Sequence, residues 1–199
     1  MKKKLVIGIT GNIGSGKSIV SDLIESEGYS VIRSDLLAKD LMLTDSKIKK
    51  QLVKNFGEET FSNAGLNAKF LAENVFSKKK NVEKINSIVH PPVIREIKKI
   101  IKETKSKIVF VESALIFEAR IEKMFDYIML VSSDEITRIN RVIKRDGVQS
   151  DEVKKRLMFQ LPDSKKKILS HFIIENNSTK KALAEKIFFM LRIIKTLAG

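Results

Sequence analysis

Residues 11–18 read GNIGSGKS and satisfy the spacing G-x-x-x-x-G-K-[ST]. No other feature constrains the chain as much, because this spacing works only where a strand runs into a glycine loop and the loop opens a helix. Both flanks meet that condition. Residues 5–10 (LVIGIT) form a continuous apolar run suited to a buried parallel strand. Residues 19–24 (IVSDLI) carry apolar side chains at helical spacing, with a stop at Gly28. Glycine lets such a loop curl so that successive N–H groups face phosphate oxygens. Gly11, Asn12, Ile13, Gly14, Ser15, Gly16, Lys17 and Ser18 are therefore the predicted nucleotide-binding segment. Lys17 is suited to the β- and γ-phosphates, and the Ser18 hydroxyl to Mg²⁺. The helix that follows aims its positive end at the same anion.

Composition narrows the chemistry further. At 199 residues and 43% hydrophobic, the chain can build a sizeable core as one domain with inserted subdomains. It has no cysteine, which excludes disulfides, thiolate zinc sites and a cysteine nucleophile. Two histidines, His90 and His171, make a histidine metal site an unfavoured reading. No apolar run approaches the ~20 residues of a membrane span. The basic start Met1-Lys2-Lys3-Lys4 leads into a six-residue apolar run that enters the loop, so it reads as strand one and not as a signal peptide. A cytoplasmic location is expected. The net charge of +14 comes from Lys (30) over Arg (8), with no Trp and two Tyr. Nucleic-acid readout favours arginine and aromatic platforms, so the charge reads as a lysine-rich surface on an enzyme for polyanionic small molecules. No nucleic-acid or membrane partner is expected, and a monomer is expected rather than an oligomer.

Four further strands read at residues 30–33, 107–112, 126–131 and 172–175, with helical segments between them. This alternation gives an α/β fold with a five-stranded parallel sheet covered on both faces. Two helical stretches are too long for simple crossovers. One spans residues 44–105, where His90-Pro91-Pro92 is expected to interrupt the helix because neither proline donates a helical N–H. The other spans about residues 134–169 and carries Arg138, Arg141, Arg145 and Arg156. Residues 178–197 read as a terminal helix with Ile187, Phe188, Leu191 and Ile194 on one face.

Ligands bind at the carboxyl ends of the strands in such sheets. Asp35 follows the second strand, where a carboxylate could take a proton from an attacking hydroxyl or could cap the helix over residues 36–43. Glu112 ends the third strand as a metal-proximal acid or a strand-end cap. Arg138, Arg141 and Arg145 recur at helical spacing, able either to stabilise a transferring phosphoryl group or to form a solvated basic face. His90 reads as a substrate contact or a turn residue, and His171 as structural.

Together these pieces resemble the dephospho-CoA kinase family, over nearly the whole chain and in the family's order. Residues 7–18 (IGITGNIGSGKS) look like its nucleotide loop. Ser34-Asp35 with Ala38 resembles its motif after strand two, whose Asp is the catalytic base. Phe56-Gly57, Gly65, Leu71-Ala72 and Val75-Phe76 look like the first half of its helical CoA-binding domain. Ile88-Val89-His90-Pro91 resembles its I-x-H-P, and Leu115-Ile116-Phe117-Glu118 its P-L-L-F-E. Arg141 and Arg145-Asp146-Gly147 resemble its lid, and Arg156 with Gln160 its R-I-x-x-Q. Lys166 and Asn176 fall where the family has a Lys and an adenine-proximal Asn. The chain departs from the pattern at Arg33-Ser34-Asp35 for Asp-Ala-Asp, at Ala114 for Pro, at Glu112 for Asp and at His171 for Asp. Asn67-Ala68 replaces an Asp-Arg pair whose Arg helps to bind the acceptor.

The resemblance implies a P-loop kinase core over residues 1–43, 106–134 and 170–199, a helical CoA-binding domain over 44–105 and a helical lid over 135–169. It implies ATP-dependent phosphorylation of the ribose 3′-hydroxyl of dephospho-CoA, the last step of coenzyme A biosynthesis. Asp35, Lys17 and Arg141 are then catalytic. Arg141, Arg145 and Asn176 join the loop in binding ATP, while Asp35, His90 and Glu118 face the acceptor and Ser18 holds Mg²⁺. The alternatives are another small-molecule or nucleotide kinase of this fold, and a nucleotide switch or nucleic-acid-binding protein. Against a guanine-reading switch, the chain contains no N-K-x-D.

Overall fold

The computed structural model describes residues 4–199; the Met1-Lys2-Lys3 start lies outside the described residues. Along the chain, β1 (Leu5–Thr10) leads into α1 (Lys17–Ser26), β2 (Ser30–Arg33), α2 (Ser34–Thr44) and α3 (Ser46–Phe56). A short antiparallel hairpin, β3 (Phe61–Ser62) and β4 (Gly65–Leu66), precedes α4 (Ala68–Val75) and α5 (Lys79–Glu103). Then come β5 (Ile108–Glu112), β6 (Tyr127–Ser132), α6 (Glu135–Asp146), α7 (Ser150–Leu157), α8 (Asp163–Leu169), β7 (Phe172–Glu175) and α9 (Lys180–Leu197). None of the described helices is long and apolar enough to cross a membrane.

The chain divides into two compact units. The first holds the described residues up to Arg33 and Thr104–Gly199. Its sheet runs β2-β5-β1-β6-β7, with every pairing parallel. β1 has neighbours on both edges and is buried from Val6 to Thr10, which is why its sequence is apolar without alternation. Ile7, Ile9, Phe110, Met129 and Val131 pack with Val20 and Ile24 of α1 and with Leu183, Ile187, Leu191 and Ile194 of α9. Each such side chain contributes about 1.5–3 kcal/mol by leaving water. On the other face, Gly8 lies against Ile116 and the Phe125 ring. Thr179 caps α9, its hydroxyl accepting from Ala182 N. The buried stripe of α9 contains Leu183, which the sequence reading left out. Phe188, placed in that stripe by spacing alone, is 37% exposed.

The second unit, Ser34–Glu103, is helical. It begins at the head of α2, where the sequence suggested a boundary at 44, because α2 packs on α3 and α5. Ile48, Leu52, Leu71, Val75, Ile88, Val89, Val93 and Ile97 supply its buried apolar side chains. The expected break at Pro91-Pro92 does not occur: α5 runs through both prolines. An interior proline costs a helix about 3 kcal/mol or more. Here buried Ile88 and Val89 before the pair and Val93 and Ile97 after it hold one apolar stripe across the defect. Asp45 caps α3 through Lys47 N and Ile48 N, and Asn67 caps α4 through Phe70 N.

Candidate active site

The loop after β1 has the backbone its glycines permit. Gly16 is the N-cap of α1 at φ 99, and Gly14 sits at φ 79, both in the left-handed region. A Cβ at Gly16 would overlap the Asn176 side-chain amide, and one at Gly14 the Arg138 carbonyl. Val20 N donates to Gly16 O at 3.1 Å, so the amides of Lys17, Ser18 and Ile19 begin the helix without intrahelical acceptors. No acidic side chain occupies that first turn, which leaves the positive helix end for an anion. Lys17 is buried, and its Nζ donates to Gly11 O at 2.9 Å and Asn12 O at 3.5 Å.

Three side-chain contacts hold the loop from outside. Ile13 N donates to Gln160 Oε1 at 2.9 Å, Asn12 Nδ2 to Leu161 O at 3.2 Å, and Asn176 Nδ2 to Ser15 O at 2.8 Å. Thr10 Oγ1, Asn12 Oδ1 and Ser15 Oγ are nevertheless buried without a hydrogen-bond partner. A buried unsatisfied polar atom costs about 1–3 kcal/mol, and a group of them at a glycine loop marks a place built for a polar ligand.

At the end of β5, Glu112 is buried; its Oε2 accepts from the Ser21 hydroxyl at 2.7 Å and its Oε1 from the Ser18 hydroxyl at 3.4 Å. Ser18 and Glu112 thus present hard oxygen donors beside the loop, the chemistry that Mg²⁺ selects. Among the described residues no three His, Asp or Glu side chains gather into a metal cluster.

The arginines of α6 divide by environment. Arg138 is 5% exposed and bonds Asp163 Oδ1 at 2.8 Å, while Ser132 Oγ donates to Asp163 Oδ2 at 2.7 Å. It is a buried tie between α6 and α8 rather than part of a solvated face. Arg141 donates to Asn176 O at 3.0 Å and to Ser133 Oγ at 3.3 Å, which brings it to the residue that also bonds the loop. Arg145 is turned toward Asp146, with contacts of 2.6 and 2.9 Å. That hydrogen bond is the main cause of a lowered Asp146 pKa and a raised Arg145 pKa.

Glu118 accepts from Leu161 N at 2.7 Å and pairs with Lys166 Nζ at 2.9 Å, while its Oε2 is buried without a partner. Lys166 also donates to Ala114 O at 2.9 Å. Burial pushes its pKa below the ordinary lysine value, against the opposing pull of Glu118. His171 accepts from Ile128 N through Nδ1 and meets the Tyr127 ring edge-on, a structural placement. Two of the predicted site residues fall in the helical unit. His90 is half-buried on α5. Asp35 is the second residue of α2, exposed, and its carboxylate accepts no hydrogen bond from the described residues, so it does not cap the helix.

The sequence reading gave no role to Gln160, Asp163 or Ser21. The Arg156-Gln160 motif was the available signal for the first. Asp163 and Ser21 carry no local signal, since their partners lie far away in the chain.

A parallel sheet with strand order β2-β5-β1-β6-β7 and this loop at the carboxyl end of β1 defines a P-loop kinase fold. Comparison with known proteins agrees and goes further. The model of the dephospho-CoA kinase family matches residues 5–182, and the chain belongs to that family. A dephospho-CoA kinase of Fusobacterium nucleatum is 34% identical over 92% of this chain and 95% of its own length. A crystal structure of a Thermus thermophilus protein superposes with a TM-score of 0.80 at 31% identity, covering 96% of this chain and 98% of the other. A dephospho-CoA kinase from Campylobacter jejuni, at 20% identity, shares the fold with a TM-score of 0.62 over 96% and 97% of the two chains.

Proposed function

We propose that the enzyme transfers the γ-phosphoryl group of ATP to the ribose 3′-hydroxyl of dephospho-CoA, giving CoA and ADP. Family membership supports the reaction, and the uncommitted Asp35 carboxylate is the observation that carries the mechanism. The amides of residues 11–18 and the Lys17 ammonium hold the ATP phosphates. Ser18 and Glu112 would hold Mg²⁺, which when bound offsets phosphate charge. Asp35 accepts the proton of the 3′-hydroxyl as its oxygen attacks phosphorus and the bond to ADP breaks. Arg141, and Arg145 once released from Asp146, stabilise the charge on the transferring group. Asn176 shapes the adenine end of the site. His90 and Glu118 contact the acceptor. Residues 135–169 act as a lid, and the helical unit receives the acceptor.

An acceptor in which hydrogen replaces the 3′-hydroxyl tests the chemistry. It is expected to bind in competition with dephospho-CoA and to release no ADP; ADP release at the dephospho-CoA rate would place the reaction at another hydroxyl.

A further inference from the structure

The peptide unit between Asn12 and Ile13 is held on both sides. A peptide group is planar, and a trans unit points its carbonyl and its N–H in opposite directions. No peptide bond among the described residues is cis. On one side of this plane Asn12 O accepts from Ser15 N at 3.1 Å and from Lys17 Nζ at 3.5 Å. On the other, Ile13 N donates to Gln160 Oε1 at 2.9 Å. Turning the plane moves the carbonyl beside Lys17, and Gln160 is the side chain that resists the turn. Asn12 is 3% exposed and donates its side-chain amide to Leu161 O at 3.2 Å. The carbonyl just before it, Gly11 O, takes the shorter Lys17 bond at 2.9 Å. The two carbonyls that hold the Lys17 ammonium therefore sit on either side of the Asn12 Cα, and Gln160-Leu161 grips that residue twice.

The grip has a fixed base. Gln160 and Leu161 lie in the link between α7 and α8, where Gln160 N bonds Leu157 O at 2.9 Å. Leu161 N donates at 2.7 Å to Glu118 Oε1, the same oxygen that pairs with the fully buried Lys166 at 2.9 Å. Lys166 donates onward to Ala114 O, just past the end of β5. A lysine carries its charge on a flexible four-carbon stem, so the acceptors around the ammonium decide where it stands. We infer that Gln160 is a positioning residue for phosphoryl transfer: through the Asn12–Ile13 peptide it sets where Lys17 presents its ammonium to the β- and γ-phosphates of ATP. Gln160 touches no phosphate, and its effect passes through Lys17. The inference rests on the proposed role of Lys17 toward ATP and not on which acceptor is used.

The test is ATP binding by calorimetry in a double-mutant cycle between Gln160→Met and Lys17→Ala. Gln160→Met keeps the length of the side chain and removes the acceptor. It is expected to weaken ATP binding roughly fivefold when Lys17 is present and less than about twofold in Lys17→Ala, where no ammonium is left to position. AMP has neither a β- nor a γ-phosphate and should bind Gln160→Met and wild type alike; this contrast decides where Lys17→Ala binds ATP too weakly to measure. In turnover, Gln160→Met should lower kcat/KM for ATP and leave the acceptor KM unchanged. A loss that persists in Lys17→Ala, or that extends equally to AMP, makes Gln160 a brace of the whole loop and overturns the inference. Wild-type ATP affinity in Gln160→Met overturns it as well. Should Gln160→Met not fold, Gln160→Asn, one methylene too short to reach Ile13 N, takes its place in the same cycle. A wild type that binds no ATP ends the nucleotide reading and the inference with it. A wild type that binds ATP and leaves dephospho-CoA unphosphorylated ends only the acceptor assignment, and the cycle still decides the role of Gln160.

Discussion

Asn176 donates its side-chain amide to the Ser15 carbonyl at 2.8 Å, lying where a Cβ on Gly16 would otherwise be. The end of β7 thereby fixes the shape of a loop that follows β1. Gly16→Ala imposes a left-handed conformation, costing about 1 kcal/mol or more, and also displaces Asn176. ATP affinity measured by calorimetry should fall at least about tenfold in Gly16→Ala, and by less in Asn176→Ala, which loses one hydrogen bond of about 0.5–1.5 kcal/mol. Equal affinity in wild type and Gly16→Ala would show that the loop shape is not what binds the nucleotide.

Asp35 is exposed and accepts no hydrogen bond from the described residues, so its removal should leave the fold intact. Asp35→Asn should keep the thermal midpoint and ATP affinity of the wild type and lose roughly 10²–10⁴-fold in kcat, the usual size of general-base assistance. A kcat within about threefold of the wild type would remove Asp35 from the proton transfer.

In the Lys166–Glu118 pair Lys166 is fully buried and the Glu118 side chain 12% exposed, so removing one partner strands the other. Lys166→Met should cost about 3–5 kcal/mol in urea unfolding at neutral pH, and the Lys166→Met/Glu118→Gln double variant less. The pair also gives stability an alkaline signature. Desolvation sets the folded Lys166 pKa below the unfolded value of 10.5, so the folded state releases its proton first. The unfolded chain then binds more protons between those two values, and unfolding free energy from this group rises with pH across that window. Wild type measured against the double variant should gain relative stability as pH climbs toward about 10. A flat difference would mean that Lys166 is not desolvated in solution.

Much of this architecture is legible in local chemistry. The five strands of the sheet announce themselves as apolar runs, and the glycine loop fixes what joins the first of them to α1. Elements governed by distant packing are not. The hairpin at Phe61–Leu66 is too short to show alternation, although Asn63-Ala64-Gly65 is turn chemistry. Pro91-Pro92 reads as a break, yet the buried stripe of α5 overrides it. Phe188 has the spacing of the α9 core but sits at its rim, since spacing does not give the width of a buried face. Within the site, Lys17 and Ser18 are read from a motif. Arg138 has the spacing of a basic face and is instead a buried ion pair, because Asp163 reaches it only in three dimensions.

Transfer of phosphate from ATP to the 3′-hydroxyl of dephospho-CoA is the proposed reaction of this chain. The most direct measurement is ADP release from Mg²⁺-ATP with and without dephospho-CoA, with the acceptor product identified by mass. ADP formation that depends on the acceptor, with a product heavier by one phosphate, is the expected result. ATP binding without acceptor-dependent ADP, or ADP formed with the acceptor mass unchanged, would contradict it.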